Sequence, residues 1–320
     1  MVDAGTLVSA LRAAGEDTRL RVLALLGAGE LSVKDITAIL GQSQPRVSRH
    51  LKLLADAGLV ERHAEGAWAY YRLADRPPGS DLVGWLLGAL DPDDAANAAD
   101  RERLAAIRAA QHAQATAFFA KVAGSWDQLR ALHVPEAAVE AATLEILAGR
   151  QIDTLLDLGT GTGRMLELLA PLYRQGVGID SSREMIAVAR AKLAAAGIAN
   201  AQVRLGDILD LEPGTRAADV VVLHQVLHYF DDPGRMLAAA RNGLAAGGSV
   251  VVVDFAPHAH EFLRTEQAHR RLGLSESQMQ GWASAARLSV AEIRHFPNPA
   301  DPAGLTVSLW HLVDQKRSAS

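Results

Sequence analysis

The 320-residue chain contains no cysteine. That absence removes disulfides, thiolate metal sites and a thiol nucleophile together, and it lends no support to an oxidising compartment. Long apolar runs are missing as well. The densest, Leu82 to Leu90, is far too short to span a bilayer, and the N-terminus has no basic-then-apolar leader pattern. A cytoplasmic protein without membrane contact is expected. Positive charge is not in excess: 32 Lys and Arg against 37 Asp and Glu give a net charge of -5. No global field then draws nucleic acid to the chain, so any basic footprint has to be local. What the chain does have is length for two domains and 49% hydrophobic residues to fill two cores.

Punctuation divides it into three. Residues 1–76 read as short helices followed, past Gly58, by two strand-like runs around Ala64-Glu65-Gly66, the order of a winged helix-turn-helix. Arg76-Pro77-Pro78-Gly79-Ser80 marks a linker, and from Asp81 to about Gly149 the chain is Ala-rich and helical, broken near Asp91-Pro92 and Pro135. Strand-like runs at 152–157, 176–179, 218–223 and 248–254 then alternate with helical segments, as in a parallel sheet covered by helices. Val290 to Phe296 and Leu305 to Val313 can close that sheet as an antiparallel pair. The predicted class is α/β: a DNA-reading module at 1–76, a helical linker or dimerisation segment at 77–114, and a Rossmann-like domain at 115–320.

Within the first module, Ser32 can cap a short helix ending at Leu40, Gly41 supplies the turn, and Ser43 can cap a second helix with Pro45 in its first turn. On that second helix Val47, Leu51 and Leu54 share one face, whereas Arg46, Ser48, Arg49 and Lys52 point away from it. The first 75 residues balance at nine acids and nine Lys or Arg, yet Ser43 to Leu54 holds Arg46, Arg49 and Lys52 and no acid. Charge is thus focused where a major-groove helix needs it. Gln44, Ser48 and Arg49 are types that hydrogen-bond base edges, and Arg62 and Arg72 on the wing suit phosphates; with Arg46 and His50 they form the expected DNA-contacting set. An ordinary helical hairpin with a solvated basic face has the same spacing. The literal segments Gly29-Glu30-Leu31-Ser32-Val33, Ser43 to Leu54 and Ala57-Gly58-Leu59-Val60 closely resemble the ArsR/SmtB winged-helix repressors. The resemblance implies a homodimer on a double-stranded, pseudo-palindromic operator with half-sites about one duplex turn apart. Metal-sensing members carry a Cys pair where this chain has Ser32-Val33-Lys34-Asp35, so thiolate sensing of arsenite is excluded. His50 and His63 are read as surface or hydrogen-bonded residues, and no metal is expected.

The richest stretch is Leu155-Leu156-Asp157-Leu158-Gly159-Thr160-Gly161-Thr162-Gly163, an apolar strand running into a glycine loop. Arg164 stands where a dinucleotide loop has its third glycine, and no Lys-Ser/Thr follows, which argues against NAD, FAD and a phosphate-binding P-loop. Gly176-Val177-Gly178-Ile179-Asp180 puts a carboxylate at the next strand end, able to accept from ribose hydroxyls. Asp207, in Gly206-Asp207-Ile208, can accept from an adenine amino group. Together with Ala218 to Val222 and Leu244 to Asp254, these segments look like the class I S-adenosylmethionine-dependent methyltransferase fold over about 115 to 313. That resemblance implies seven strands with the last antiparallel. It assigns Asp157, Gly159, Gly161 and Gly163 to the aminoacyl end of the ligand, Asp180 to the ribose, and Asp207 with Ile208 to the adenine. Ser181 and His224 complete the expected ligand-binding set. Phe118-Phe119 and Ser125-Trp126-Asp127 look like the lead-in helices that lid small-molecule methyltransferases.

Methyl transfer from a sulfonium is an in-line displacement that orientation can drive, so no fixed acid or base has to be visible. Arsenic methylation and cytosine C5 methylation need thiols and are excluded. Leu223-His224-Gln225-Val226-Leu227-His228 is not the Asn/Asp-Pro-Pro-aromatic loop of amino methyltransferases of nucleic acids. His224 and His228, four apart, can face one pocket as base or ligands, or one can pack near the ligand and the other against the following helix. His258, His260 and His269 can form a substrate or metal cluster over the strand ends, or belong to a lid with polar groups on its inner face, and the lid is the expected reading. The domain order resembles S-adenosylhomocysteine-responsive repressors of methyl-cycle genes. Expected, then, is a repressor whose operator affinity is set by S-adenosylhomocysteine or S-adenosylmethionine. The alternative is an active methyltransferase of a small acceptor with an autoregulatory DNA-binding domain.

Overall fold

A computed structural model describes residues 3–65, 68–74, 77–91, 94–122, 136–210, 218–298 and 304–315. The chain divides into two compact units, Met1–Ala113 and Gln114–Ser320. In the first, α1 (Ala4–Ala14), α2 (Asp17–Gly27), the two-residue β1 (Leu31–Ser32), α3 (Val33–Leu40) and α4 (Gln44–Asp56) precede a hairpin of β2 (Val60–Glu65) and β3 (Trp68–Leu73). Strand β3 is central, flanked by β1 and β2.

Local chemistry sets the boundaries. The Ser32 hydroxyl accepts from the Asp35 N–H at 3.1 Å and caps α3, and Gly41 ends that helix in the left-handed region at φ 63°. Ser43 has the backbone of an N-cap but its hydroxyl makes no cap bond, contrary to the sequence expectation. Pro45 in the first turn offers no N–H, and the Arg46 N–H is taken by the Ser43 carbonyl at 3.1 Å. Val47, Leu51 and Leu54 are fully buried in one core with Val22, Leu23, Ile36 and Ile39. Helix α5 (Gly79–Ala89) begins inside the stretch read as a linker, and its Val83 joins that core, as does Leu104 of α6 (Ala95–Val122). The apolar helix at 82–90 is therefore partly an internal one, although its Trp85 is 67% exposed, and Leu7, Val8 and Leu11 of α1 are exposed too.

An ion pair fastens α6 to α2. Asp100, 1% exposed, accepts from Arg21 Nε and Nη2 at 2.7 Å each and from Arg103 Nη1 at 3.1 Å. Removing Arg21 leaves the buried carboxylate with only the more exposed Arg103 as a cationic partner, so Arg21→Met is expected to cost the first unit about 3 kcal/mol. Urea unfolding measures this; unchanged stability would mean that Arg103 alone holds the carboxylate.

The second unit has α7 (Glu136–Leu147), β4 (Ile152–Leu158), α8 (Arg164–Leu169), β5 (Tyr173–Asp180), α9 (Arg183–Ala195), β6 (Ala201–Leu205), β7 (Ala218–His224), α10 (Pro233–Asn242) and β8 (Leu244–Phe255). It ends with α11 (Phe262–Glu266), α12 (Glu276–Ala285), β9 (Leu288–Phe296) and β10 (Val307–Asp314). The sheet order is β6-β5-β4-β7-β8-β10-β9. Strands β6, β5, β4, β7 and β8 are mutually parallel, and β10 runs antiparallel to both β8 and β9. Alternation of side chains sorts each strand between two cores: Val221, Leu223, Val250 and Val252 face one, with Trp282 and Trp310, and Val220, Val222, Val251 and Val253 face the other, with Leu155 and Tyr173. Burial on both faces explains why β7 and β8 read as near-continuous apolar runs. The edges differ: on β6 only Val203 is buried, and on β9 Glu292 and Arg294 pair at 2.6 Å. Chain order departs from β4 in both directions across the sheet, so a crevice lies at the carboxyl ends of β4 and β7. Among the described residues no helix is long and apolar enough to cross a membrane.

Candidate functional site

Helix α4 presents Gln44, Arg46, Arg49 and Lys52 to solvent, with Ser48 half-buried. They are free to be exposed because Val47, Leu51 and Leu54 carry the packing on the opposite face. His50 turns elsewhere: its Nδ1 lies 3.5 Å from Glu16 Oε2, the acid that caps α2. Burial holds the His50 imidazole below its ordinary pKa, against the opposing pull of Glu16. On the wing, Arg62 is exposed, whereas Arg72 donates from Nη2 to Glu61 Oε2 at 2.6 Å on the neighbouring strand. Part of the wing's positive charge is thus balanced within the fold.

The crevice is built on the loop 159–163. The Gly159 and Thr160 N–H groups both donate to the Ile179 carbonyl, at 2.9 and 3.0 Å, which stitches the loop to β5. Gly161 N–H donates to Asp180 Oδ2 at 2.8 Å and Ser182 N–H to Asp180 Oδ1 at 2.9 Å, which fix the half-buried carboxylate against the loop. Asp157 is buried and accepts from the Thr160 hydroxyl at 2.6 Å. Gly159 has φ 75°, and a Cβ there would lie 2.4 Å from Val226 Cγ2 and 3.6 Å from Ile208 Cδ1. Glycine is required by conformation and by space, and the strand ends of β4, β6 and β7 converge at this residue. Asp207 accepts from the Leu209 N–H at 2.9 Å at the start of a short 3-10 turn. Arg164, in place of a third glycine, points back to Glu140 of α7 with two 2.7 Å bonds, which raises its pKa further above the ordinary arginine value.

Beyond β7 the side chain of His228 is buried, with Nδ1 2.7 Å from Asp254 Oδ1. Asp254, at the end of β8, also accepts from the N–H groups of Leu227, His228 and Phe255 at 2.9, 3.3 and 2.8 Å. The rings of Tyr229, Phe255 and His269 surround His228 at centroid distances of 4.1, 5.1 and 4.1 Å. His258 is pushed down to about 4, first by burial and then by the neighbouring His260 and His228. Burial, with Asp254 adding to it, raises the Tyr229 hydroxyl well above its ordinary value.

Residues 16–62 match the description "Bacterial regulatory protein, arsR family" and residues 155–248 match "Methyltransferase domain". The arsenic resistance transcriptional regulator ArsR1 of Pseudomonas putida is 38% identical over 91 residues, 28% of this chain and 70% of that protein. The chain belongs to the arsR family of bacterial regulatory proteins and carries a methyltransferase domain. The arsenical resistance operon repressor of Escherichia coli is 45% identical over 64 residues, 20% of this chain, which spans 55% of that repressor's length. For the methyltransferase unit, the uncharacterized methyltransferase YcgJ of Bacillus subtilis is 26% identical over 155 residues, 45% of this chain and 60% of YcgJ. The YcgJ crystal structure covers 55% of this chain and 98% of its own, with a TM-score of 0.47 at 16% identity.

In the arsR-family unit, then, Gln44, Arg46, Ser48 and Arg49 lie along one helix, with His50 directed to α2 and Arg72 to Glu61. In the methyltransferase unit Asp157, Gly159, Gly161, Gly163, Asp180 and Ile208 come together in the loop region; Ser181 follows Asp180, and Asp207 begins the next turn. His224 ends β7, half-buried. The expected lid residues Ser125, Trp126 and Asp127 lie outside the described residues, as do the side chains of Phe118 and Phe119 and that of His63. Among the described residues no group of three or more His, Asp or Glu is arranged to hold a metal. Sequence reasoning gave Asp254 no role. The signal available was an acid closing an otherwise apolar strand, Val250 to Val253.

Proposed function

We propose that this chain is a cytoplasmic DNA-binding transcriptional repressor, acting as a homodimer, whose operator affinity is set by S-adenosylhomocysteine or S-adenosylmethionine in the methyltransferase unit. The observation that carries the reading is the Asp180 carboxylate. It is fastened to the glycine loop through Gly161, at the strand end beside a topological switch point, where an acid suits ribose hydroxyls. The exposed basic face of α4 supports the DNA half: one stripe of Gln44, Arg46, Ser48, Arg49 and Lys52 with its apolar opposite face buried suits a major groove. The exposed Leu7, Val8 and Leu11 of α1 and Trp85 of α5 suit burial against a second copy. Because the chain has no cysteine, its effector is not a thiolate-bound metalloid. A ligand can shift DNA binding only if it binds the DNA-competent and DNA-incompetent states with different affinity.

Binding of the purified protein to DNA from its own upstream region, titrated separately with the two adenosyl ligands at fixed salt, tests this directly. One ligand is expected to change the DNA affinity about tenfold, a typical coupling of a little over 1 kcal/mol. DNA binding indifferent to both ligands would overturn the regulatory reading.

A further inference from the structure

His228 and Asp254 form a pair that the adenosyl crevice does not use. Asp254 is fully buried and receives four donors: three backbone N–H groups and His228 Nδ1. A carboxylate only accepts, so Nδ1 is the donor, and a neutral imidazole so held carries its lone pair on Nε2. That Nε2 is buried and has no hydrogen-bond partner among the described residues. The Nε2 of His258 is also buried and unpaired among the described residues, but its Nδ1 accepts from the His260 N–H at 3.3 Å, so this Nε2 carries the hydrogen; the Phe255 ring lies next to both imidazoles, at 5.1 and 6.0 Å. Buried polar atoms are normally paired. One orphaned acceptor and one orphaned donor in one cluster of aromatic rings point to a guest with a hydroxyl, which can both donate and accept, and an aromatic face.

The pair is also close in the chain and in the sheet to the ligand loop. Val226, two residues before His228, packs on Gly159 of the ligand loop, and Asp254 ends the strand beside β7. Residues 256–273 cover it: the Arg270 and Arg271 N–H groups donate to the His228 carbonyl at 2.9 and 3.0 Å, and His258 N–H donates to the Leu272 carbonyl at 3.0 Å. For an acceptor to reach Nε2, that cover would have to move.

We propose that His228, positioned by Asp254, is the general base for methyl transfer to the hydroxyl of a small phenol. A phenolic hydroxyl, with a pKa of about 10, is far more acidic than an alcohol, and its ring suits the walls of Tyr229, Phe255 and His269. The acceptor O–H bond breaks, with the proton passing to His228 Nε2. The O–CH3 bond forms as the S–CH3 bond of S-adenosylmethionine breaks and leaves its electron pair on sulfur. The positive charge lost from the sulfonium reappears on the imidazolium, which Asp254 stabilises until the proton leaves to solvent. The proposal rests on the adenosyl reading of the crevice, and its product is one of the two effectors considered above.

The test uses the full chain with methyl-labelled S-adenosylmethionine and three probes, phenol, catechol and 4-nitrophenol, alongside calorimetric binding of S-adenosylhomocysteine. The wild type is expected to label at least one probe, and His228→Gln to bind S-adenosylhomocysteine normally while losing about a hundredfold or more of the rate, as removal of a general base does. Asp254→Asn, nearly isosteric, is expected to lower kcat at least tenfold at unchanged KM for S-adenosylmethionine, and it decides the matter should the Gln variant fail to fold. No labelling by a wild type that binds S-adenosylhomocysteine, or wild-type rates in the variants, overturns the proposal. A wild type that binds neither adenosyl compound overturns the adenosyl reading instead.

Discussion

Asp180→Ala is expected to abolish the adenosyl response: S-adenosylhomocysteine affinity falls about a hundredfold or more, and operator binding no longer depends on ligand. Two losses combine. In the absence of ligand the carboxylate already orders the crevice, because Gly161 N–H and Ser182 N–H each donate to one of its oxygens. Alanine leaves both N–H groups to find other acceptors. In the ligand complex the same carboxylate is assigned to the ribose hydroxyls, and hydrogen bonds to a charged group are worth about 1.5–3 kcal/mol each. Two such bonds at the lower figure already give about 3 kcal/mol, more than a hundredfold in affinity. Asp180→Asn should recover little, since its NH2 group would face one of the two backbone donors. Calorimetry gives the affinity, and fluorescence anisotropy of labelled operator gives the response. Without ligand, the variant should bind DNA as the wild type does. Unchanged S-adenosylhomocysteine affinity would sink the assignment of Asp180.

Gly159→Ala should strongly destabilise the second unit. The residue sits at φ 75°, where a side chain costs about 1–2 kcal/mol. The new Cβ would also stand 2.4 Å from Val226 Cγ2 and 3.0 Å from its Cβ. Valine is stiff at χ1 and Val226 is buried, so it cannot simply turn aside. Overpacking of this kind adds about 1–3 kcal/mol, for a total of about 2–5 kcal/mol. The mechanism predicts a partial rescue. Val226→Ala removes the obstructing methyls, so the double variant should be at least 1 kcal/mol more stable than the sum of the single effects, as expected for residues in contact. Hydrogen exchange of β4, β7 and β8 under urea reports the stability of this unit separately. Strict additivity would mean that backbone strain alone sets the cost.

Much of this was legible because it is local. Val220 to Leu223 and Val250 to Val253 announce strands buried on both faces, and the spacing of Val47, Leu51 and Leu54 gives α4 its buried side. The glycine loop and Asp180 are readable because each follows directly from the strand that carries it. What escaped depends on register or on three-dimensional neighbours. That Arg72 is engaged by Glu61 follows only once β2 and β3 are aligned, and that His50 leans to Glu16 follows only once α2 packs beside α4. The missing Ser43 cap was within reach of sequence reasoning, since Pro45 already stands in the first turn. The His228–Asp254 pair spans 26 residues and needs β7 and β8 side by side, with His224 opposite Val253. Strand β6 was hard to delimit for another reason: with Val203 its only buried residue, it has almost no apolar signature.

The two borders of the seven-stranded sheet carry a consequence for behaviour at high concentration. An unprotected border strand is a template for pairing with another chain, and natural proteins blunt it with brevity and charge. Strand β6 is five residues long, with Arg204 exposed, and β9 sets Glu292 and Arg294 along its length. Desolvating those groups makes strand-by-strand growth into fibrils unfavourable. The second unit is therefore built to resist strand-by-strand association as its concentration rises.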